Sequence, residues 1–163
     1  MSRYEDRLND YNRRQHADKL IFHTLGELVA MCGKLHNTWL YTNVDKWEQD
    51  PLHTPIYYFN EEWLEDQLAE GQATENERGD IVTHELRDAG LQSWFEMATF
   101  EDVVEVLHDA GEPVTLPMIV IAIKYYYEYD AFLDYDDVEA RLQLHDVLKQ
   151  VASKRPNHEH EQN

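Results

Sequence analysis

One stretch of this chain holds nearly all of its charge, and that segregation restricts how the chain can fold. Between residues 61 and 140 there are 22 Asp and Glu against 3 basic residues, Arg78, Arg87 and Lys124. Residues 1–60 hold 8 acidic and 7 basic residues, and residues 141–163 hold 3 and 4, so the net charge of −19 sits in the middle of the chain. A one-signed block repels itself on compaction, so it must ride on surface elements, from which it projects a strong field. The apolar content still suffices for a core: 42% of residues are hydrophobic, with 4 Trp, 10 Tyr and 5 Phe, which argues against disorder. A length of 163 residues suits one domain.

The periodicity predicts a mainly α fold: a compact helical domain over 1–153, with a small β-hairpin near 38–59 and a disordered tail at 154–163. Leu20, Ile21, Leu25, Leu28, Cys32 and Leu35 recur at three- and four-residue spacing, the pattern of an amphipathic helix over 16–35. Residues 38–44 and 55–59 are aromatic and β-branched and read as two strands or an aromatic loop. Asn60 is placed to cap a helix reaching Ala69, with Trp63, Leu64 and Leu68 inward and Gly71 as its stop. Further helices are predicted over 76–88, ending at Gly90, and over 92–97. Thr99 with Asp102 resembles a capping box opening a helix that ends at Gly111. Thr115 precedes Leu116-Pro117, a favourable helix start, with Ile121, Ala122, Tyr125, Tyr129 and Phe132 as the stripe. Asp136 with Glu139 opens the last helix, carrying Val138, Leu142, Leu148 and Val151. Composition breaks near Asn60 between an aromatic, charge-balanced front and an acidic helical back.

On those expected helices, acids fall four residues apart repeatedly: Glu61 with Glu65, Glu62 with Asp66, Asp66 with Glu70, Glu101 with Glu105, Glu105 with Asp109, and Asp130 with Asp134. Each such pair costs a helix about 0.2 to 0.5 kcal/mol, so six cost about 1 to 3 kcal/mol. Lys124 before Glu128 is the only interleaved base at that spacing. Duplex DNA carries one charge per about 1.7 Å, so nineteen net charges match about 32 Å of duplex, roughly ten base pairs.

Segments such as Asn60-Glu-Glu-Trp-Leu-Glu-Asp66 and Asp130-Ala-Phe-Leu-Asp-Tyr-Asp-Asp137 mix dense carboxylates with aromatic rings. In this the chain resembles the phage and plasmid antirestriction DNA mimics of the Ocr and ArdA kind, a resemblance of composition covering about half of the sequence. It implies a cytoplasmic, phage- or mobile-element-encoded inhibitor. Such a protein occludes the basic nucleic-acid-binding site of a host defence enzyme or another DNA- or RNA-binding enzyme. The expected partner-binding residues are the acids Glu61, Glu62, Glu65, Asp66, Glu70, Glu101, Asp102, Glu105, Asp109, Glu128, Asp130, Asp134, Asp136 and Asp137, with Tyr126 and Tyr127 as aromatic anchors. The alternative is an acidic adaptor or assembly chaperone that shields a basic partner through the aromatic front: Trp39, Tyr41, Trp47, Tyr57 and Tyr58. A halophilic cytoplasm also selects acidic, Lys-poor surfaces, but would spread the acid over the whole chain.

Other chemistry finds little footing. The acidic balance disfavours direct binding to nucleic acid or an anionic membrane. The longest apolar run, near 118–123, is far short of the roughly 20 residues a span needs. Cys32 has no internal disulfide partner. The nine His residues lack metal-ligand spacing: no His-x-x-x-His or Cys-x-x-Cys occurs, and His158-Glu-His160 lies in the tail. His36-Asn-Thr38 fits half of the paired His-x-Thr pattern of two-histidine phosphoesterases. Residues 100–127 have a helix-turn-helix outline, with only Lys124 on the second helix to meet a phosphate. No catalytic residue, metal or cofactor is expected, and the aromatic richness leaves room for a homodimer.

Overall fold

Short strands form a four-stranded and a two-stranded antiparallel sheet within the first hundred residues, so the mainly α expectation is corrected to a mixed α/β fold. In the computed structural model, which describes residues 2–153, the elements run α1 (Arg3–Arg13), β1 (Lys19–Phe22), α2 (Leu25–Ala30), β2 (Trp39–Thr42), α3 (Val44–Gln49), β3 (Ile56–Phe59) and α4 (Glu61–Ala69). There follow β4 (Ala73–Glu75), β5 (Ile81–Thr83), a 3-10 helix (His84–Ala89), β6 (Gln92–Glu96), α5 (Met97–His108), α6 (Leu116–Tyr129) and α7 (Tyr135–Ser153). The expected tail, with His158-Glu-His160, lies outside the described residues. Among the described residues no helix is long and apolar enough to cross a membrane.

Three expected helices are wholly or partly strand for identifiable reasons. In the segment 16–35, Leu20, Ile21 and Phe22 pair antiparallel with Tyr58, Tyr57 and Ile56 of β3, a partner rich in residues that suit a pleated surface. Helix survives only from Leu25, where the Thr24 hydroxyl accepts the Glu27 N–H at 3.2 Å. Over 76–88, Asn76 Oδ1 accepts the N–H groups of Arg78 (2.9 Å) and Asp80 (3.0 Å), and Gly79 takes φ +83°. That side-chain competition turns the backbone into the loop of the β4–β5 hairpin, and Gly90 still ends the 3-10 helix in a left-handed conformation. The segment 92–97 becomes β6, an edge strand paired with β2.

The chain groups into two compact units, one up to Val104 and one from Glu105 onward. The compositional break near Asn60 falls inside the first, and the division falls within α5. In the first unit the antiparallel sheet has the order β1-β3-β2-β6. The two strands expected at 38–59 are neighbours in it, joined through α3 rather than by a tight turn. Trp39 and Leu40 face Glu96 and Phe95, whereas Tyr41 faces Ser93, so Trp94 is the extra residue of a β-bulge. Trp94 is buried against Trp47 (ring centroids 5.1 Å apart) and Phe100 (6.3 Å). A separate cluster of Tyr41, Phe59, Leu64 and Leu91, with Tyr57, Trp63 and Ile81 packed around it, joins the sheet to α4 and the hairpin.

Two helix starts also differ from expectation. Helix α5 begins at Met97, ahead of Thr99, because Asn37 Oδ1 accepts the Ala98 N–H at 2.9 Å and supplies the cap from a distant part of the chain. In the second unit Asp134, not Asp136, caps α7: its Oδ1 accepts the Asp137 N–H at 3.0 Å. Helices α6 and α7 pack together, with the Arg141 guanidinium 4.9 Å from the Tyr125 ring centroid. Leu148 and Val151, expected inward, are more than half exposed, as are Leu144 and Val147.

Candidate functional site

Helix α4 carries the densest row of expected site residues. Asn60 fixes its start: the Asn60 N–H donates to the Asp18 carbonyl (2.9 Å), and its Oδ1 accepts the Trp63 N–H (3.1 Å). Leu64 is buried beneath the helix, which leaves Glu61, Glu62, Glu65, Asp66 and Glu70 on its exposed side. Glu61 and Glu62 occupy the first turn, where the helix dipole favours negative charge. Among the described residues no Lys, Arg or His comes within ion-pair distance of Glu61, Glu62, Glu65 or Asp66.

Beside this row lies a cleft of about 290 Å³ lined by Trp39, Tyr41, Glu61, Glu65, Asp80 and Ser93, among others. A neighbouring cleft of about 480 Å³ shares Trp39 and Glu61 and adds Glu62 and Glu96. The fold therefore joins the aromatic front, through Trp39 and Tyr41, to the acidic back. The bulge at Trp94 brings Ser93 opposite Tyr41, and the Ser93 N–H donates to Asp80 Oδ2 at 3.3 Å, tying the hairpin loop to the sheet. Trp39 is 38% exposed and Tyr41 only 7%. Burial, with the Asp80 and Glu61 carboxylates, pushes the Tyr41 hydroxyl up to about 12.

The expected acids do not all serve as surface. Glu101 is half-buried: Arg14 Nη1 donates to its two oxygens at 2.7 and 3.0 Å, and also to the Leu35 carbonyl at 2.9 Å. Glu101 thereby anchors the segment after α1, and its pairing with Glu105 is relieved by a base from 87 residues away. Asp102, Glu105 and Asp109 are exposed on and just after α5.

In the second unit Glu128, Asp130, Asp134, Asp136 and Asp137 are exposed around the α6–α7 turn. Asp130 and Asp134 share no helix: Asp130 ends α6 at φ +53° and Asp134 caps α7. Tyr127 is 47% exposed, whereas Tyr126 is half-buried with its ring 5.1 Å from Phe132. The Tyr135 hydroxyl is raised by desolvation and by Glu139, Glu112 and Asp136. Tyr129, expected to be buried with Tyr125, is 57% exposed although the two rings touch at 4.7 Å.

The other motifs resolve into packing. His36 stacks on Tyr11 at 4.4 Å, and the Thr38 hydroxyl donates to the Phe59 carbonyl at 2.7 Å. Among the described residues no group of three or more His, Cys, Asp or Glu is arranged to hold a metal ion. Asp80, Ser93 and Glu96 were not expected at the site. For Asp80 a signal exists in Asn76-Glu-Arg-Gly-Asp80, whose Asn and Gly are turn formers.

No curated protein and no solved structure matches the chain. Residues 22–135 match the model of the family described as Domain of unknown function (DUF7716), a span that includes the whole cleft, and the chain belongs to that family.

Proposed function

We propose that this protein is a cytoplasmic inhibitor that occludes the basic nucleic-acid-binding site of a DNA- or RNA-binding enzyme, in competition with the nucleic acid. The observation that carries the reading is the α4 row: exposed carboxylates one turn apart, none ion-paired among the described residues. A solvating surface gains nothing from like charges at this spacing, since each pair costs about 0.2 to 0.5 kcal/mol. A surface that meets Lys and Arg gains from the field, which speeds encounter, and from displacing the counterions held by both partners. The acids around the α6–α7 turn supply a second patch of the same kind.

The rival reading, an acidic adaptor or assembly chaperone for a basic protein, draws on Trp39 and Tyr41, which share the cleft with Glu61 and Glu65. Affinity capture from bacterial lysate, with elution by duplex DNA and then by salt, separates the two. Occlusion of a nucleic-acid site requires a captured nucleic-acid-binding enzyme that duplex DNA releases. A captured basic protein indifferent to DNA favours the adaptor. Charge reversal tests the patches: Glu61→Lys with Glu62→Lys, Glu65→Lys and Asp66→Lys, against Glu128→Lys with Asp136→Lys and Asp137→Lys. Retention of the captured enzyme at low salt by both variants would rule out the acidic surfaces as the interface.

A further inference from the structure

Within the α4 cleft, Tyr41 has no structural task for its hydroxyl. Tyr41 is 7% exposed and its ring packs on Phe59 at 5.2 Å, yet its hydroxyl, which is not sealed off from the cleft, has no hydrogen-bond partner among the described residues. Buried tyrosines ordinarily find one; Tyr58 in the same sheet donates to the His36 carbonyl at 2.8 Å. Tyr41 lines the cleft and feels the Asp80 and Glu61 carboxylates, so its polar end is directed to the space those acids surround.

We propose that this cleft is a receptor for the guanidinium group of an arginine side chain, an inference that rests on the basic-partner reading above. Glu61 and Glu65 stand one turn apart on α4, and Asp80 faces them from the hairpin loop, with one oxygen held by the Ser93 N–H and the other left for a ligand. Among the described residues no basic side chain lines the cleft. The exposed indole of Trp39 offers a flat face for stacking, and the Tyr41 oxygen can accept an N–H at the floor. A planar fork with five donors matches acceptors arriving from two elements beside an aromatic face, whereas an ammonium uses neither the plane nor the fork. A hard divalent ion needs six to eight oxygens around it, and no metal-holding group of carboxylates is present among the described residues.

The test is NMR titration of the full chain with three amidated peptides, Gly-Gly-Arg-Gly-Gly and its lysine and citrulline counterparts. Citrulline keeps the shape of arginine without its charge. Shifts centred on Trp39, Tyr41 and Ser93, with an affinity for the arginine peptide at least about fivefold above that for lysine and no saturable binding of citrulline, are expected. Tyr41→Phe keeps the ring and should weaken the arginine peptide about threefold or more at unchanged melting temperature; Glu61→Gln, on the surface, provides the same check if Tyr41→Phe perturbs the fold. Equal responses to all three peptides, or wild-type affinity in both variants, would overturn the inference. The broader reading fails separately: arginine-selective binding in a protein whose captured partner ignores DNA keeps the receptor and removes the nucleic-acid competition. A DNA-released partner held with undiminished affinity by the Tyr41→Phe, Glu61→Gln double variant keeps the competition and removes the receptor.

Discussion

Arg14 shows how one residue can decide the role of another far away in sequence. It is 20% exposed and Glu101 14%, and the pair is joined by two hydrogen bonds, with Asp10 on the Nε side at 3.0 Å. Removing one member leaves a largely desolvated charge behind, so Arg14→Ala is expected to lower stability by about 2 to 4 kcal/mol, measured by urea denaturation. The double replacement Arg14→Met with Glu101→Leu should recover much of that loss, because no orphaned charge remains. The same neighbourhood governs Cys32: burial, then the Glu101 carboxylate, pushes its thiol up to about 12, against the opposing effect of Arg14. Cys32 and Tyr41 both hold their protons more tightly in the folded protein than their ordinary values of 9.0 and 10.0. Neither group therefore costs the fold anything below about pH 9, and stability is lost as pH rises towards 12, where the unfolded chain ionises first. Thermal denaturation between pH 8 and about 11 should show a falling melting temperature, and Tyr41→Phe should flatten part of that fall; a pH-independent profile would contradict it.

At the scale of elements, local chemistry was legible where it acts within a few residues and illegible where a distant strand decides. The Asn60 cap, the Gly71 stop and the start of α6 at Leu116-Pro117 follow from side chains adjacent to the ends they form. Strands β1 and β6 do not, because Leu20 to Phe22 and Gln92 to Glu96 become extended by pairing with β3 and β2. The cap of α5 was hidden for the same reason, since Asn37 lies 61 residues from Ala98. Gly90 offers a test of element junctions. Its φ is +67°, and a Cβ there would lie 2.8 Å from Asn43 Nδ2, the amide that donates to the Ala89 carbonyl while its oxygen caps α3. Gly90→Ala is expected to cost about 1 to 3 kcal/mol, through backbone strain and displacement of that cap, and more than Gly71→Ala, where the space is open. The exposed end of α7 gives the converse: Leu148→Gln or Val151→Gln should change stability by less than about 0.5 kcal/mol, although periodicity places both in a core.

For the whole molecule, the proposed function makes the segregated charge link stability and binding with opposite signs. The carboxylate rows were legible from the sequence, as was their helical spacing on α4, but not their division between a first unit holding Glu61 to Asp102 and a second holding Glu105 to Asp137. Nor was the meeting of Trp39 and Tyr41 with Glu61, since it depends on a β-bulge and a hairpin loop. The like charges of the α4 row repel one another whatever the row is for, so stability alone does not separate solvation from binding. If it is held charged for a basic partner, the repulsion is a standing cost that the fold tolerates, as at many functional sites. The variant Asp66→Asn, Glu70→Gln removes two of the one-turn repulsions and leaves the Asn60 cap, the dipole-favoured Glu61 and Glu62 of the first turn and the cleft carboxylates in place. It should be stabilised by about 0.4 to 1 kcal/mol in urea denaturation at low ionic strength, a gain that shrinks towards 1 M NaCl as the Debye length falls to about 3 Å. The same variant should bind the captured partner more weakly, with a shallower salt dependence, because fewer carboxylates meet its Lys and Arg. Stabilisation with unchanged binding would assign the row to solvation alone, and destabilisation at low salt would refute the repulsion itself.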